Sequence, residues 1–430
     1  MWSFETDAEF EAELAWMRAF LDEKILPLEV AQLDEDGLAH AVAPLQQQVK
    51  DRGLWAAHLD AELGGQGFGQ LKLGLMHEII GRSRFAPEVF GNQAPDSGNS
   101  EILARHATPE QRERWLFPLL AGDVRSAYAM TERDAGADPT LLTTRAVVDG
   151  DEWVLNGDKW FITNASVADF FIVMAVSDPE APPHARASQF IVPAGTPGLE
   201  VVREIGTIED PDPQWGRVDN HAEMRLVDVR VPSGAMLGAR GSGFAIAQER
   251  LGPGRIHHCM RWIGQASRAL DMLCERSLYR FSHGSVLADK QMVQSWIAES
   301  WADLHAARLM TLHAAWKIDE QGVAAARTEI SAIKFWGARM LHEVIDRAVQ
   351  IHGALGYSTD LPLESMYRYA RAARIYDGPD EVHRVVVARQ VLKGYRAPSD
   401  GVPTEHVPTR RAAWVAAAGN PTSAIGAGTR

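Results

Sequence analysis

Cysteine is nearly missing from this 430-residue chain: only Cys259 and Cys274 occur. They form no Cys-x-x-Cys pair and no zinc-type spacing, so a disulfide framework is excluded and both read as small buried apolar side chains. No apolar run approaches the roughly 18 residues of a membrane-spanning helix. Positive charge is short as well. Lys and Arg total 43 against 57 Asp and Glu, a net charge of −14, which argues against a general nucleic-acid binder. The first 36 residues carry eleven acidic side chains against Arg18 and Lys24, the reverse of a signal or transit peptide. Together these shortages predict a cytoplasmic protein in a reducing compartment.

Several chemical motifs are missing too. Gly241-x-Gly243 lacks the third glycine of a dinucleotide fingerprint, and there is no Walker A loop, no His-Glu-x-x-His and no Gly-x-Ser-x-Gly. His257 and His258 are adjacent. On a helix they point about 100° apart and chelate poorly, so no metal site is expected.

What is present falls into three parts. Residues 1–125 read as helical, with Phe10, Leu14, Met17, Phe20 and Leu21 at helical spacing, and Leu45, Val49, Leu54 and Trp55 continuing the pattern. Thr108-Pro109-Glu110-Gln111 carries a helix-start signature. Residues 126–237 read as a β domain. Asp149-Gly150-Asp151 and Asn156-Gly157 are expected hairpin turns, and Phe161–Thr163, Phe170–Met174, Phe190–Val192 and Met224–Val227 are expected strands. Residues 238–395 return to long helical patterns, with Trp262, Ala266 and Leu270 on one face and Ile297, Trp301 and Leu304 on another. Residues 396–430 lack periodicity and read as a flexible tail.

Two segments carry chemical interest. In Arg374-Ile375-Tyr376-Asp377-Gly378-Pro379-Asp380-Glu381, a carboxylate sits beside an aromatic ring, a glycine and a proline between two helices. Asp377 suits a general base in a cleft, with Gly378 allowing close approach by a ligand. Asp377 or Asp380 also suits the plainer role of capping the next helix, and the segment alone leans that way. In Tyr128–Asp138, small residues after a polar turn suit a backbone cradle for a flat or phosphorylated ligand, or an ordinary crossover loop.

In this order the segments resemble the acyl-CoA dehydrogenase superfamily over residues 1–395. The subgroup of family members ten and eleven is the most similar, through the strings Arg250-Leu251-Gly252-Pro253-Gly254-Arg255-Ile256-His257-His258-Cys259-Met260-Arg261 and Asp377-Gly378-Pro379-Asp380-Glu381-Val382-His383. The resemblance implies an α+β fold: an N-terminal helical domain, a central β-barrel or sandwich domain and a C-terminal four-helix bundle. It also implies a homotetramer built as a dimer of dimers. The implied chemistry is FAD-dependent α,β-dehydrogenation of an acyl-CoA to a trans-2-enoyl-CoA, as in fatty acid β-oxidation, with electrons passing to an electron-transfer flavoprotein.

Carried over by position, Asp377 matches the catalytic base. Tyr128, Met130, Thr131, Gly136 and Ala137 match the flavin loop, and Phe161, Ile162 and Thr163 match the segment flanking the flavin. Arg280, Ser282, Gln291, Gln350, Ile351, Gly353 and Ala354 match FAD contacts across a subunit interface. Pro379 and Glu381 lie beside the cofactor, and Arg255, Tyr376 and Gly378 match substrate contacts. The family pattern is broken at Arg133, Ala137 and Gly252, which replace a proline, a serine and an aspartate. Burial of Asp377 against Tyr376 and an acyl chain is expected to raise its pKa toward the working pH. Nitroalkane oxidase (an aspartate base without CoA), acyl-CoA oxidase and a non-catalytic subunit of a heteromeric flavoprotein are the competing readings.

Overall fold

The Asp7 carboxylate accepts the Phe10 N–H at 2.8 Å and opens helix α1, Ala8–Phe20, whose Phe10, Leu14, Met17 and Phe20 form one buried face. Helices α2 (Glu35–Asp51), α3 (Gln70–Ile80), α4 (Ala86–Val89), α5 (Asp96–His106), α6 (Pro109–Gln111) and α7 (Phe117–Ala121) follow. The helix-start signature at Thr108 forms a full capping box: Thr108 Oγ1 accepts from Gln111 N, and Gln111 Oε1 accepts from Thr108 N. Helix α3 is capped from a distance, because the Asp319 carboxylate takes the Gln70 and Leu71 N–H groups at 2.6 and 2.9 Å. The computed structural model describes residues 3–63, 65–398 and 401–418.

Eight strands follow as one sheet: β1 Ser126–Ala129, β2 Arg145–Asp149, β3 Glu152–Thr163, β4 Phe170–Val176, β5 Ala187–Pro193, β6 Leu199–Glu204, β7 His221–Pro232 and β8 Met236–Leu237. Their order is β6-β7-β3-β2-β4-β5-β8, with β1 parallel to β4. The Asp149-Gly150-Asp151 turn joins β2 to β3 as expected. Asn156-Gly157 does not turn. It lies inside β3 at a bulge, where the register against β7 shifts between Leu155 and Gly157. Asn156 exchanges two hydrogen bonds with Asp228 of β7, at 2.8 and 3.1 Å, which keeps the chain going straight. A Cβ at Gly157 would fall 2.4 Å from Thr144 Oγ1, so the glycine serves close strand packing.

Helix α8, Gly243–Tyr279, runs 37 residues. A small hairpin of β9 (Phe281–Ser282) and β10 (Ser285–Val286) leads to α9 (Gln291–Gln321), α10 (Arg327–His352) and α11 (Leu363–Ala372). Side chains of α1–α4 and of α8–α11 share a single apolar core, in which Trp262, Ala266, Leu341 and Ile345 are fully buried. Trp301 departs from the expected face: it is 60% exposed and stacks on His305. The sheet has its own core, around Leu155, Phe171, Phe190 and Met224.

The chain forms one compact unit to Arg384 and a second from Val385, with α12, Asp380–Leu392, crossing the boundary. The segment read as a flexible tail contains helix α13, Val407–Ala418. Alanine-rich sequence makes helix by intrinsic propensity without an apolar stripe, and periodicity misses it. Residues 399–400 and 419–430 of that segment lie outside the described residues.

One buried ion pair ties the loop after β1 to the sheet. Lys159 of β3, with no side-chain exposure, reaches Glu132 Oε1 at 2.9 Å and the Met130 carbonyl at 3.0 Å. Glu132 also accepts from the Thr143 and Thr144 N–H groups and from Thr143 Oγ1. Burial opposes its charge, but Lys159 and these donors win and bring its pKa down to about 2. Removing one partner of such a pair leaves an uncompensated buried charge. Lys159→Met is therefore expected to cost about 3–5 kcal/mol of stability in urea unfolding. Adding Glu132→Gln, which removes the stranded charge and keeps an acceptor, is expected to recover part of the loss.

Candidate active site

The turn between α11 and α12 presents Asp377. Its φ of +54° places a non-glycine residue in the left-handed region, and Gly378 follows at +94°. A Cβ at Gly378 would meet His383 Nε2 at 2.9 Å, so position 378 needs glycine on both counts. The turn is clamped through its carbonyl oxygens. Arg255 Nε donates to the Asp377 carbonyl at 3.1 Å, and His383 Nε2 lies 3.1 Å from the same oxygen. Lys334, fully buried on α10, donates to the Ala373 carbonyl at 2.7 Å and sits over the rings of Trp262 and Tyr376. Trp262 Nε1 donates to Tyr376 Oη at 2.8 Å. The Asp377 N–H donates to no group among the described residues.

Neither Asp377 nor Asp380 spends its side chain on capping. Asp380 Oδ2 pairs with Arg374 at 2.8 Å and faces Arg384 at 3.7 Å. Asp377 Oδ2 lies 3.3 Å from His258 Nε2, with a fifth of its side chain exposed. The expected rise in its pKa is not found. Burial does push the carboxyl up, but the His258 ring that faces it, and then Arg255, Lys334 and Arg250, outweigh burial and bring it below the ordinary carboxylate value.

His258 was not among the expected site residues. The signal for it is the spacing of Arg255, His258 and Arg261, three apart and therefore close to one face of α8. The two adjacent histidines do diverge: the His257 ring stacks on His77, at 4.3 Å between centroids, while His258 turns to Asp377. Lys334, Trp262 and His383 were also missed, because only the packing of α8, α10 and α12 brings them to the turn.

The expected flavin-loop residues come together along β1 and β3. The Thr131 carbonyl accepts the Trp160 N–H at 2.9 Å, and Lys159 holds Met130. Tyr128 accepts from Gln189 at 2.8 Å under the Arg250 guanidinium. Phe161 is 44% exposed at φ +55°, an uncommon conformation for an aromatic residue, set at a second bulge of β3. Thr163 Oγ1 bonds His221, while the Ile162 side chain belongs to the sheet core. Gly136 and Ala137 are exposed, and a Cβ at Gly136 would meet nothing within 4 Å.

The remaining expected residues lie elsewhere. Arg280 caps α8, Ser282 lies in β9, Gln291 opens α9, and Gln350 and Ile351 end α10 before Gly353 and Ala354. At about 1.5 Å of rise per residue, Arg280 is roughly 33 Å along α8 from His258. Pro379 follows the Asp377 turn, and Glu381 is exposed at the start of α12. Among the described residues no helix is long and apolar enough to cross a membrane.

Three family models match in sequence: the acyl-CoA dehydrogenase N-terminal domain over residues 7–123, the middle domain over 127–211 and the C-terminal domain over 241–392. The Mycobacterium tuberculosis protein named "Probable acyl-CoA dehydrogenase FadE2" is 42% identical over 84% of this chain and 91% of its own length. Mouse acyl-CoA dehydrogenase family member 10 is 39% identical over 87% of this chain and 36% of its own length. Human family member 11 is 36% identical over 88% of this chain and 49% of its own length, so the chain spans half or less of these two longer relatives. Among solved structures, butyryl-CoA dehydrogenase from Megasphaera elsdenii superposes with a TM-score of 0.78 at 27% identity, over 91% of this chain and all of that one. An FADH2 complex of a glutaryl-CoA dehydrogenase from Mycobacterium smegmatis shares the fold, with a TM-score of 0.76 at 24% identity over 90% of this chain and 95% of that one. The chain belongs to the acyl-CoA dehydrogenase family of flavin-dependent oxidoreductases.

Proposed function

We propose that this protein binds FAD and removes the α- and β-hydrogens of an acyl-CoA thioester, with Asp377 as the general base. The observation that carries this reading is the Asp377 turn. Its carbonyls are bound from behind by Arg255, His383 and Lys334, which leaves the Asp377 N–H and the carboxylate oxygen Oδ1, on the side away from His258, as its unspent groups among the described residues. The N–H suits the thioester oxygen, where negative charge develops as the α-proton leaves, and one such donor is worth roughly 3–4 kcal/mol. The carboxylate is kept ionised by the cations around it and takes the proton. Bound FAD supplies the two-electron acceptor for the β-hydrogen, which leaves as hydride.

The residues fit that cofactor. Phe161, Met130 and the exposed Gly136 turn offer an apolar wall and open backbone for a flat ring. Arg280 lies too far along α8 to serve the same cofactor as its own Asp377, so it is assigned to the FAD of a neighbouring subunit. Leu278, Tyr279, Phe281 and Met292 beside it are 63–71% exposed, an apolar surface suited to burial against a second copy in a homotetramer. Electron-transfer flavoprotein is the assigned electron acceptor.

Anaerobic mixing with a panel of acyl-CoA thioesters is expected to bleach the flavin's visible absorbance. Asp377→Asn is expected to slow that bleaching by about 10²–10⁴-fold with FAD still bound. Bleaching by no thioester, or bleaching that survives in Asp377→Asn, would remove the assignment. Arg280→Ala is expected to weaken FAD binding by about 10–100-fold, as for loss of one charge-assisted hydrogen bond, measured by FAD retention on dilution.

A further inference from the structure

His258 faces the carboxylate of Asp377 from α8, and its other ring nitrogen is engaged. Arg261 Nη2 donates to His258 Nδ1 at 3.1 Å, while Arg261 Nη1 is anchored on the Asn92 carbonyl at 3.0 Å. A guanidinium has donors only. Nδ1 must therefore be the acceptor, and the ring proton sits on Nε2, which faces Asp377 Oδ2 at 3.3 Å, a close approach short of an aligned hydrogen bond. The ring is fixed sideways as well, at 5.0 Å from the Tyr376 ring and 6.3 Å from that of Trp262.

We propose that His258, held by Arg261 as the neutral Nε2–H tautomer, is a positioning residue that engages Asp377 Oδ2 and leaves Oδ1 free to take the substrate's α-proton. The proposal rests on the assignment of Asp377 as base. The charged and titratable groups around His258 are Arg250, His257 and Arg261 on α8, Lys334 on α10, His77 on α3, and Tyr376 and Asp377 on the turn. Burial, then Arg261 and the other cations, against the pull of Asp377, bring the His258 pKa down to about 3, so the ring stays neutral across the working range. A neutral donor suits this task. It orients the carboxylate without the full charge of an imidazolium, which would depress the basicity that proton abstraction requires.

A donor to the ionised form keeps a carboxyl pKa low, and losing that donor raises it. The base works only when ionised, so activity is lost as pH falls through that pKa. In His258→Phe the acid limb of kcat is expected to move up by about one to two pH units, and kcat at neutral pH to fall about tenfold, with KM little changed. His258→Gln, which keeps an N–H at similar reach, is expected to restore the acid limb. An acid limb that stays in place in His258→Phe would overturn the proposal. A second readout needs no turnover. In ¹⁵N-histidine-labelled FAD-bound protein, His258 is expected to keep the Nε2–H tautomer from pH 5 to 8, and its Nε2–H resonance is expected to move in Asp377→Asn. An imidazolium, an Nδ1–H tautomer or an unmoved resonance would overturn the pairing. Solvent-deuterium exchange at the acyl-CoA α-carbon that persists in Asp377→Asn would instead remove the base assignment, while the labelled histidine still decides the pairing.

Discussion

The site depends on how the carbonyl oxygens of one short turn are satisfied. A left-handed aspartate followed by a left-handed glycine turns the Asp377 carbonyl back toward the protein, where side chains satisfy it. Arg255 and His383 take the Asp377 carbonyl, and Lys334 takes that of Ala373. Lys334 is a buried cation that pairs with no carboxylate at salt-bridge distance among the described residues. Carbonyl dipoles and the faces of Trp262 and Tyr376 replace its hydration. Because the turn is held by its backbone, the acidic side chain and its N–H stay out of structural service. The charges packed around that side chain hold its pKa below the ordinary carboxylate value, which favours the ionised form that the proposed role as a base requires.

A second clamp of opposite design serves the other wall of the site. Lys159 and Glu132 neutralise each other inside the protein, and the lysine reaches on to the Met130 carbonyl. The loop after β1 is thereby fixed to β3, which places Met130 and Thr131 against the same strand as the strained, exposed Phe161. The Asp377 turn is fixed to the helical core and the loop after β1 to the sheet. The long α8 carries Arg255 and His258 near the first and ends beside Arg280, roughly 33 Å beyond His258.

Much of the fold was legible because its signals are local. The α1 face, the Thr108 capping box and the Asp149-Gly150-Asp151 turn follow from spacing and short-range hydrogen bonds. Asn156-Gly157 failed because a turn signal is only a local preference. Pairing of β3 with β7 on both sides of the bulge, and the Asn156–Asp228 exchange, outweigh it. Helix α13 was missed for the opposite reason, since propensity alone supports it.

The sequence by itself determined the order helical, β, helical, the family, and the residues of the Asp377 turn, because strings such as Asp377-Gly378-Pro379-Asp380 are contiguous. Only the tertiary structure decided which way the Asp377 pKa moves and which histidine faces it. Both depend on charges from residues more than seventy positions upstream along the chain, on α8, and from Lys334 on α10, and on which oxygen each faces. A sequence states that an aspartate lies beside a glycine. The packing of two helices against that turn decides whether the aspartate is neutral, charged or a cap.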